Sequence, residues 1–246
     1  AYDAEGARAM SREILTLKQA AAHVHLSENE LRHCAQRGEV EAIRRGDDWC
    51  FEHRALDEWA QRALLAAGEK DLRTKHQSMM DETRRDSQPR WAVASLFDAA
   101  TIDLSVGAKA KAGILRDMTD LAERGGKVYD ADALFRELVA REEAASTAIG
   151  EGVALLHPRF HDPYLFEESF IAYGRSERPI FFGASNGEGT RHFFLICSTD
   201  HAQHLRILAR LAVLAHGTGL MSLLDAAVTA EDVVAAVASC EAEYVS

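Results

Sequence analysis

The chain has 246 residues, of which 47% are hydrophobic and 27% charged, values typical of a globular protein with a sizeable core. Its formal net charge of -11 counts against nucleic acid as a partner of the whole chain. Because the sequence has neither a run of eighteen apolar residues nor an N-terminal signal pattern, we expect a cytoplasmic protein that does not span a membrane.

The negative charge is unevenly distributed along the chain. Residues 1 to 70 hold ten basic and thirteen acidic side chains, whereas residues 93 to 246 hold thirteen and 22. A polar, highly charged stretch that contains Pro89 lies between these two parts. We therefore predict an N-terminal extension (1–14), a first domain (15–65), a connector that is partly helical (66–92) and a second domain (93–246).

The first domain starts with two short helices around a tight turn. An amphipathic helix begins near Leu17, and Ser27 is the N-cap of a second helix that Gly38 ends. Alternating apolar and polar residues on both sides of Gly46 predict a hairpin. The sequence HRALDEW, residues 53–59, predicts another helix.

The motifs of this segment occur in a characteristic order. They are Leu15-Thr16 before Gln19-Ala20-Ala21, Leu26-Ser27 at the turn, Arg37-Gly38 after the second helix, and a basic wing leading into Trp49 and Phe51. Residues 15–60 thereby resemble the excisionase-type, MerR-like winged helix-turn-helix DNA-binding domain. The resemblance implies that the second helix enters the major groove and that DNA is contacted by Ser27, Asn29, Arg32, His33, Arg44 and Arg45.

Acidic residues distinguish residues 15–60 from the winged helix-turn-helix family that they resemble. Glu28 and Glu30 stand where basic or hydroxyl side chains are usual, and three more carboxylates flank the wing: Glu41, Asp47 and Asp48. Each carboxylate near a phosphate opposes the counterion release that supplies non-specific affinity. We expect weak binding by one domain, so that a dimer or a second module is needed; palindromic binding favours a homodimer. The alternative is a winged helix that contacts another protein.

The second domain alternates helical and strand-like patterns, which predicts a three-layer α/β/α domain with a mixed sheet. Asp130 can cap a helix, and Thr199 or Asp200 can cap another that begins at His201. Strands are predicted over GVALL, ESFIAYG and RHFFLIC, and AEDVVAAVAS predicts a closing helix. The short link from Arg175 to Pro179 argues against a purely parallel sheet.

Three pieces of the second domain also follow a characteristic order. Arg141-Glu142 precedes Ser146-Thr147, Gly152 opens a strand that ends on His157, and His204-Leu205 starts a helix after a strand. Residues 94–238 thereby resemble the enzyme IIA domains of the bacterial phosphotransferase system, in the fructose/mannitol and nitrogen-regulatory branch.

This second resemblance implies a phosphohistidine site. His157 would accept a phosphoryl group from the histidine phosphocarrier protein, and His204 would support it. The supporting pocket would comprise Ser146, Thr147, Arg159 and His201. The resembled family usually has proline before and glycine after the histidine, whereas this chain has Leu156 and Pro158. A proline ring crowds the approach of a phosphocarrier and donates no N–H.

Together the two resemblances predict a DNA-binding transcription regulator that senses the phosphotransferase system through His157. One alternative is a phosphorylation-incompetent second domain that binds a regulatory protein or an anion, or dimerises. Another is a phosphocarrier whose winged helix docks a protein.

No cofactor or metal is predicted. The cysteines Cys34, Cys50, Cys197 and Cys240 contain no CxxC pair, and a metal site formed by His157, His192, His201 and His204 would lack supporting carboxylate or cysteine spacing. A hydrolase using Ser185 or Ser198 would lack a nucleophile elbow.

Overall fold

The protein is represented by a computed structural model that describes residues 13–67, 71–74, 76–77, 92–159 and 165–245. The chain divides into two compact units, residues 1–64 and 65–246. Almost all of the predicted N-terminal extension and most of the predicted connector lie outside the described residues. Within the connector, residues 71–74 and 76–77 are helical.

The first unit combines a small antiparallel sheet with three helices. Its elements are β1 (Ile14–Thr16), α1 (Leu17–His23), α2 (Glu28–Gln36), β2 (Ile43–Arg45), β3 (Asp48–Glu52) and α3 (His53–Leu65). The strand order is β1-β3-β2, so β3 pairs on both edges. The core of this unit receives fully buried side chains from α2, β3 and α3, namely Leu31, Phe51 and Leu56.

Local signals place the ends of these helices where the sequence predicts them. The Ser27 hydroxyl accepts from the Glu30 N–H while the Glu30 carboxylate accepts from the Ser27 N–H, which is a capping box. Thr16 and Gln19 cap α1 in the same way. Gly38 follows α2 with a φ of 70°, a left-handed conformation that glycine adopts without strain.

The second unit is an α/β domain. After a 3₁₀ turn (Val93–Leu96), its strands are β4 (Phe97–Val106), β5 (Ala148–Gly150), β6 (Val153–Leu156), β7 (Phe170–Phe181) and β8 (Gly189–Cys197). Its helices are α4 (Lys111–Arg124), α5 (Ala131–Ala144), α6 (His201–Gly217), α7 (Leu220–Ala226) and α8 (Ala230–Val245).

The five strands form one mixed sheet in the order β4-β7-β8-β6-β5. The pairs β4–β7 and β8–β6 are parallel, and β7–β8 and β6–β5 are antiparallel. The mixed sheet was predicted, but the reason given for it was wrong. Arg175 to Pro179 is not a link between strands, because β7 runs through it and only its pairing with β8 is interrupted, between Arg175 and Ile180. Proline, which lacks an N–H, is tolerated at such an interruption.

Helices cover both faces of this sheet. Ala172 of β7 and Leu195 of β8 belong to a core cluster with Met118 of α4 and Leu138 of α5. Successive side chains along a strand point to opposite faces, so the residues next to Ala172 and Leu195 point to the other face of the sheet. On that face α6 packs on β8 and α8 packs on β4. Asp130 caps α5 through the Ala133 N–H, as predicted.

The described residues contain no single helix that is both long enough and apolar enough to cross a membrane. Two consecutive segments, Gln203–Gly217 and Leu220–Ala226, satisfy the length and composition criteria only together, and they are bent by 84°.

Candidate functional site

The turn before β6 is built from left-handed residues. Gly150, Glu151 and Gly152 have φ values of 91°, 52° and 70°. Two of these three positions are glycine because a side chain disfavours this conformation. The turn delivers the chain into β6, whose four residues are all buried between β8 and β5. The strand therefore ends inside the domain, at His157.

The His157 ring is fully buried and is contacted at both nitrogens. Nδ1 lies 2.8 Å from the carbonyl oxygen of Leu155, and Nε2 lies 2.9 Å from Nε of Arg141. A carbonyl can only accept and a guanidinium can only donate, so Nδ1 carries the proton and Nε2 offers its lone pair. The two contacts together define a neutral imidazole in the Nδ1–H tautomer.

His204 is the second histidine of the site. It lies in the first turn of α6 and is fully buried, and its ring centroid is 5.0 Å from that of His157. The Asp200 carboxylate accepts from the Gln203 N–H and caps the helix, which selects Asp200 over Thr199 as the predicted cap. The structure thus brings together the two histidines that the sequence singles out.

Two consecutive charged residues near the end of α5, Arg141 and Glu142, are buried. Arg141 is 3% exposed, and its Nη1 donates to the carbonyl oxygen of Ala145 at 2.9 Å. The Glu142 carboxylate binds Nζ of Lys111 at 2.8 Å. Buried charges cost free energy unless they are paired or hydrogen-bonded, so the contacts of Arg141 with Ala145 and of Glu142 with Lys111 stabilise the end of α5.

The hydroxyls of the predicted pocket have partners of their own. Thr147 donates its hydroxyl and its N–H to Glu142 Oε2, at 2.6 and 2.9 Å. Ser146 donates to the carbonyl oxygen of Phe182 at 3.0 Å. Gly183 permits this approach, because a Cβ there would lie 3.1 Å from the Ser146 oxygen. These hydroxyls hold the loop before β5, and the role predicted for them toward a phosphoryl group stays a prediction.

The two remaining predicted residues are less deeply buried than His157 and His204. Arg159 is half-buried two residues beyond His157, and His201 is the first residue of α6 with 8% of its surface exposed. His192, considered for a metal site, lies at the opposite end of β6, because it pairs with Val153. Its Nδ1 is 2.8 Å from the Tyr173 hydroxyl instead.

Arg141, Glu142 and Lys111 were not predicted as site residues. A usable signal was present, since Leu134, Leu138 and Arg141 are spaced i, i+4, i+7 on one face of α5. Glu142 follows Leu138 by four residues and shares that buried face. Charged side chains on an apolar helical stripe require buried partners, and here those partners belong to the site.

In the first unit, the residues predicted to contact DNA are mostly on the surface. On α2, Asn29 and His33 are exposed, and Arg32 donates to the Asn29 side-chain oxygen at 2.9 Å. Arg44 and Arg45 are exposed on β2, and the Arg44 guanidinium lies 5.7 Å from the Trp49 ring centroid. The Ser27 and Glu30 side chains are joined in the cap of α2.

The mixed sheet, the helices on both faces and the buried histidine pair define a domain of the enzyme IIA class. Residues 95–240 match the family described as "Phosphoenolpyruvate-dependent sugar phosphotransferase system, EIIA 2", and the chain belongs to this family.

The individual relatives of this domain include fructose-specific and nitrogen regulatory proteins. It is 30% identical over 124 residues, half of this chain, to the fructose-specific EIIABC component of Bacillus subtilis, but spans only 19% of that protein's length. It is 28% identical over 130 residues to a nitrogen regulatory protein of Pseudomonas aeruginosa, covering 52% of this chain and 82% of that one. The fold matches nitrogen regulatory protein IIA-Ntr of Neisseria meningitidis with a TM-score of 0.54 at 24% identity, over 59% of this chain and 98% of the other.

Proposed function

We propose that this protein is a cytoplasmic bacterial DNA-binding regulator whose EIIA domain senses the phosphotransferase system through phosphorylation of His157. The observation that carries the proposal is the buried pair of His157 and His204, with Arg141 on Nε2 of His157. Membership of the EIIA 2 family supports a phosphotransferase-system protein, with a histidine phosphocarrier as donor.

The tautomer of His157 suits it to accept a phosphoryl group. The Nε2 lone pair attacks phosphorus, the N–P bond of the donor phosphohistidine breaks, and the donor imidazole keeps that electron pair. Nδ1–H continues to donate to the Leu155 carbonyl, which holds the ring and stabilises positive charge on it. No proton has to leave His157 before the attack.

Arg141 has to give up one contact for this reaction. Its Nε–H occupies the direction along which phosphorus would approach Nε2. A guanidinium that turns from the ring to the phosphoryl oxygens would exchange a neutral acceptor for a charged one, which is the stronger hydrogen bond. Before transfer, Arg141 would therefore block access to Nε2 of His157. After transfer, its guanidinium would neutralise part of the charge on the phosphoryl group.

The first unit is proposed to bind DNA as a winged helix-turn-helix. Two short helices around a turn, a two-stranded wing and a third helix follow one another in the described residues, which supports this assignment. Hydrogen bonds from the Ser27 side chain and backbone lower the pKa of Glu30, so this carboxylate stays ionised and opposes any nearby phosphate. The cationic contacts would come from Arg32, Arg44 and Arg45.

Phosphorylation adds between one and two negative charges at one position, enough to break or recruit an interface of the EIIA domain. We propose that this changes the association of two chains, and hence the affinity of a homodimer for a palindromic site. DNA binding by the regulator would thus depend on the phosphorylation state of the phosphotransferase system.

A second function is favoured by the burial of the same histidine. His157 is 0% exposed and is flanked by Leu156 and Pro158, so a phosphorylation-incompetent domain that binds a regulatory protein, or dimerises, is the alternative. In that case the Arg141–His157 contact would be permanent and structural.

DNA fragments selected from genomic DNA provide the test of the regulator. Binding of the full chain should weaken with salt, and Arg44→Gln and Arg45→Gln should each reduce the slope of log K against log salt by about one. Arg62→Gln, an exposed change on α3, is the control. Equal affinity before and after phosphorylation, or salt-independent binding, would contradict the proposal.

A further inference from the structure

Three potential metal ligands converge in the first unit, outside any site discussed so far. His23 ends α1, His53 begins α3, and Asp57 lies one turn further along α3. His23 Nε2 is 2.6 Å from Asp57 Oδ1 and 3.0 Å from His53 Nε2. His53 Nε2 is 3.9 Å from Asp57 Oδ2. Two ring nitrogens and a carboxylate thus face one point.

The elements that carry these side chains hold them in place. His53 and Asp57 are spaced i, i+4 and therefore share one face of α3. The His53 N–H donates to the Glu13 carbonyl oxygen at 2.9 Å, which ties the start of α3 to the chain entering β1. The side chains of His23, His53 and Asp57 are 20%, 33% and 12% exposed. The group is ordered by packing and remains open to solvent.

The separations suit a tetrahedral ion. Ligands about 2.0 to 2.1 Å from zinc lie about 3.3 Å from one another. The observed separations of 2.6, 3.0 and 3.9 Å bracket that value, and the three ligand atoms all lie within 4.8 Å of one another. Each separation would have to change by less than about 1 Å to reach the tetrahedral value, which small side-chain movements can supply.

Glu13 provides the outer support that metal-bound histidines usually have. Its Oε2 lies 3.4 Å from Nδ1 of His53. A carboxylate can only accept, so the proton of the neutral ring stays on Nδ1 and the Nε2 lone pair is directed at the group. Glu13, the His53 ring and the point that His23, His53 and Asp57 face are therefore arranged like the carboxylate, histidine and metal ion of a metal site.

We infer that His23, His53 and Asp57 bind a divalent first-row transition metal ion, with zinc as the reference ion. Two imidazoles and one carboxylate suit this class, whereas calcium and magnesium require an all-oxygen shell. Three protein ligands leave a fourth position for water. The ion would join the end of α1 to the start of α3 and so stabilise the turn between α1 and α2. The inference does not depend on the proposed function.

The test is zinc binding by the full chain, prepared without a polyhistidine tag. Equilibrium dialysis with metal analysis should find one zinc per chain that is lost in His53→Gln and in Asp57→Asn. His216→Gln, on α6, is the control and should keep the zinc. Cobalt added in place of zinc should give the visible absorption of a tetrahedral ion in the wild type and in His216→Gln alone.

Glu13→Gln keeps the test decisive if a ligand variant fails to fold, because the Glu13 side chain is 68% exposed. It should retain the zinc with an affinity about 10- to 100-fold weaker. The inference is overturned if the wild type binds no stoichiometric zinc. It is equally overturned if one zinc persists in both His53→Gln and Asp57→Asn, or if Glu13→Gln binds as tightly as the wild type.

Discussion

Arg141 donates its Nε–H to Nε2 of His157 across 2.9 Å, although the two residues are sixteen positions apart and belong to different elements. Both side chains are buried, and the opposite ring nitrogen of His157 lies against its own strand. The protonation state of the histidine is therefore determined by geometry. One charged side chain, Arg141, thereby occupies the Nε2 lone pair of the ring.

The tautomer of His157 is directly measurable. Nitrogen-15 NMR at pH 7 should show a protonated Nδ1 and an unprotonated Nε2 on this ring. Replacing Arg141 with methionine removes the donor to Nε2 and should shift that nitrogen signal, whereas Arg136→Met, an exposed change on the same helix, should leave it in place. A ring protonated on Nε2 in the wild type would contradict the described geometry.

Glu142 should matter more for stability than its exposed neighbour. Glu142→Gln removes the charge that pairs with Lys111 and weakens the acceptor of two Thr147 hydrogen bonds. The expected loss is about 1 to 2 kcal/mol, because Glu142 is buried whereas the Lys111 side chain is 38% exposed and its charge stays partly solvated. Glu143→Gln, which is exposed, should change the free energy of unfolding by less than about 0.5 kcal/mol. Urea unfolding measures both, and equal effects would refute the argument.

Much of the architecture could be predicted because its signals are local. Ser27 and Asp130 cap helices through their own side chains, and Gly38 ends a helix by its backbone freedom. The apolar run of β6 indicates a buried strand, and its ending on a histidine indicates a site. These features depend on residues only a few positions apart.

The rest depends on distant contacts that no local pattern encodes. The Arg141–His157 contact and the ion pair of Lys111 with Glu142 arise from packing across 16 and 31 positions. The continuation of β7 past Pro179 depends on its neighbour β8, with which pairing resumes at Ile180. His23 and Asp57 meet because β3 leads α3 back beside α1, which their separation in sequence conceals.

The proline that follows His157 should slow the proposed phosphoryl transfer. Pro158→Gly removes the ring that crowds an approaching phosphocarrier and restores a backbone N–H. We expect the rate of phosphorylation by the carrier to rise at least about tenfold, which corresponds to about 1.4 kcal/mol in the barrier. His157→Ala in the Pro158→Gly background is the control and should abolish transfer. An unchanged rate would show that Pro158 does not limit access.

Acid should destabilise the second unit through His192. Burial lowers the pKa of His192 to about 4, against an ordinary value of 6.5. The unfolded chain therefore binds more protons between these values, and stability falls as the pH drops from 6.5 toward 4. About 2 kcal/mol should be lost between pH 7.5 and pH 5 through this ring. His76, whose pKa burial lowers to about 3, adds to the effect.

The variant His192→Gln should lose about 2 kcal/mol less than the wild type over that pH range. Glutamine can still hydrogen-bond the Tyr173 hydroxyl that lies 2.8 Å from Nδ1 of His192. His216→Gln, at the C-terminal end of α6, is the matched control. Urea unfolding at pH 7.5 and pH 5 measures the difference, and parallel losses in all three proteins would exclude His192 as the source.

Phosphorylation of the wild-type chain by a general histidine phosphocarrier, read by intact mass, tests the central claim most directly. A gain of one phosphoryl group that is lost in acid, absent in His157→Ala and retained in His216→Ala is the predicted result. The absence of any gain, under conditions that phosphorylate another EIIA protein, would contradict the claim. The domain would then be a binding module, with Arg141 holding His157 permanently.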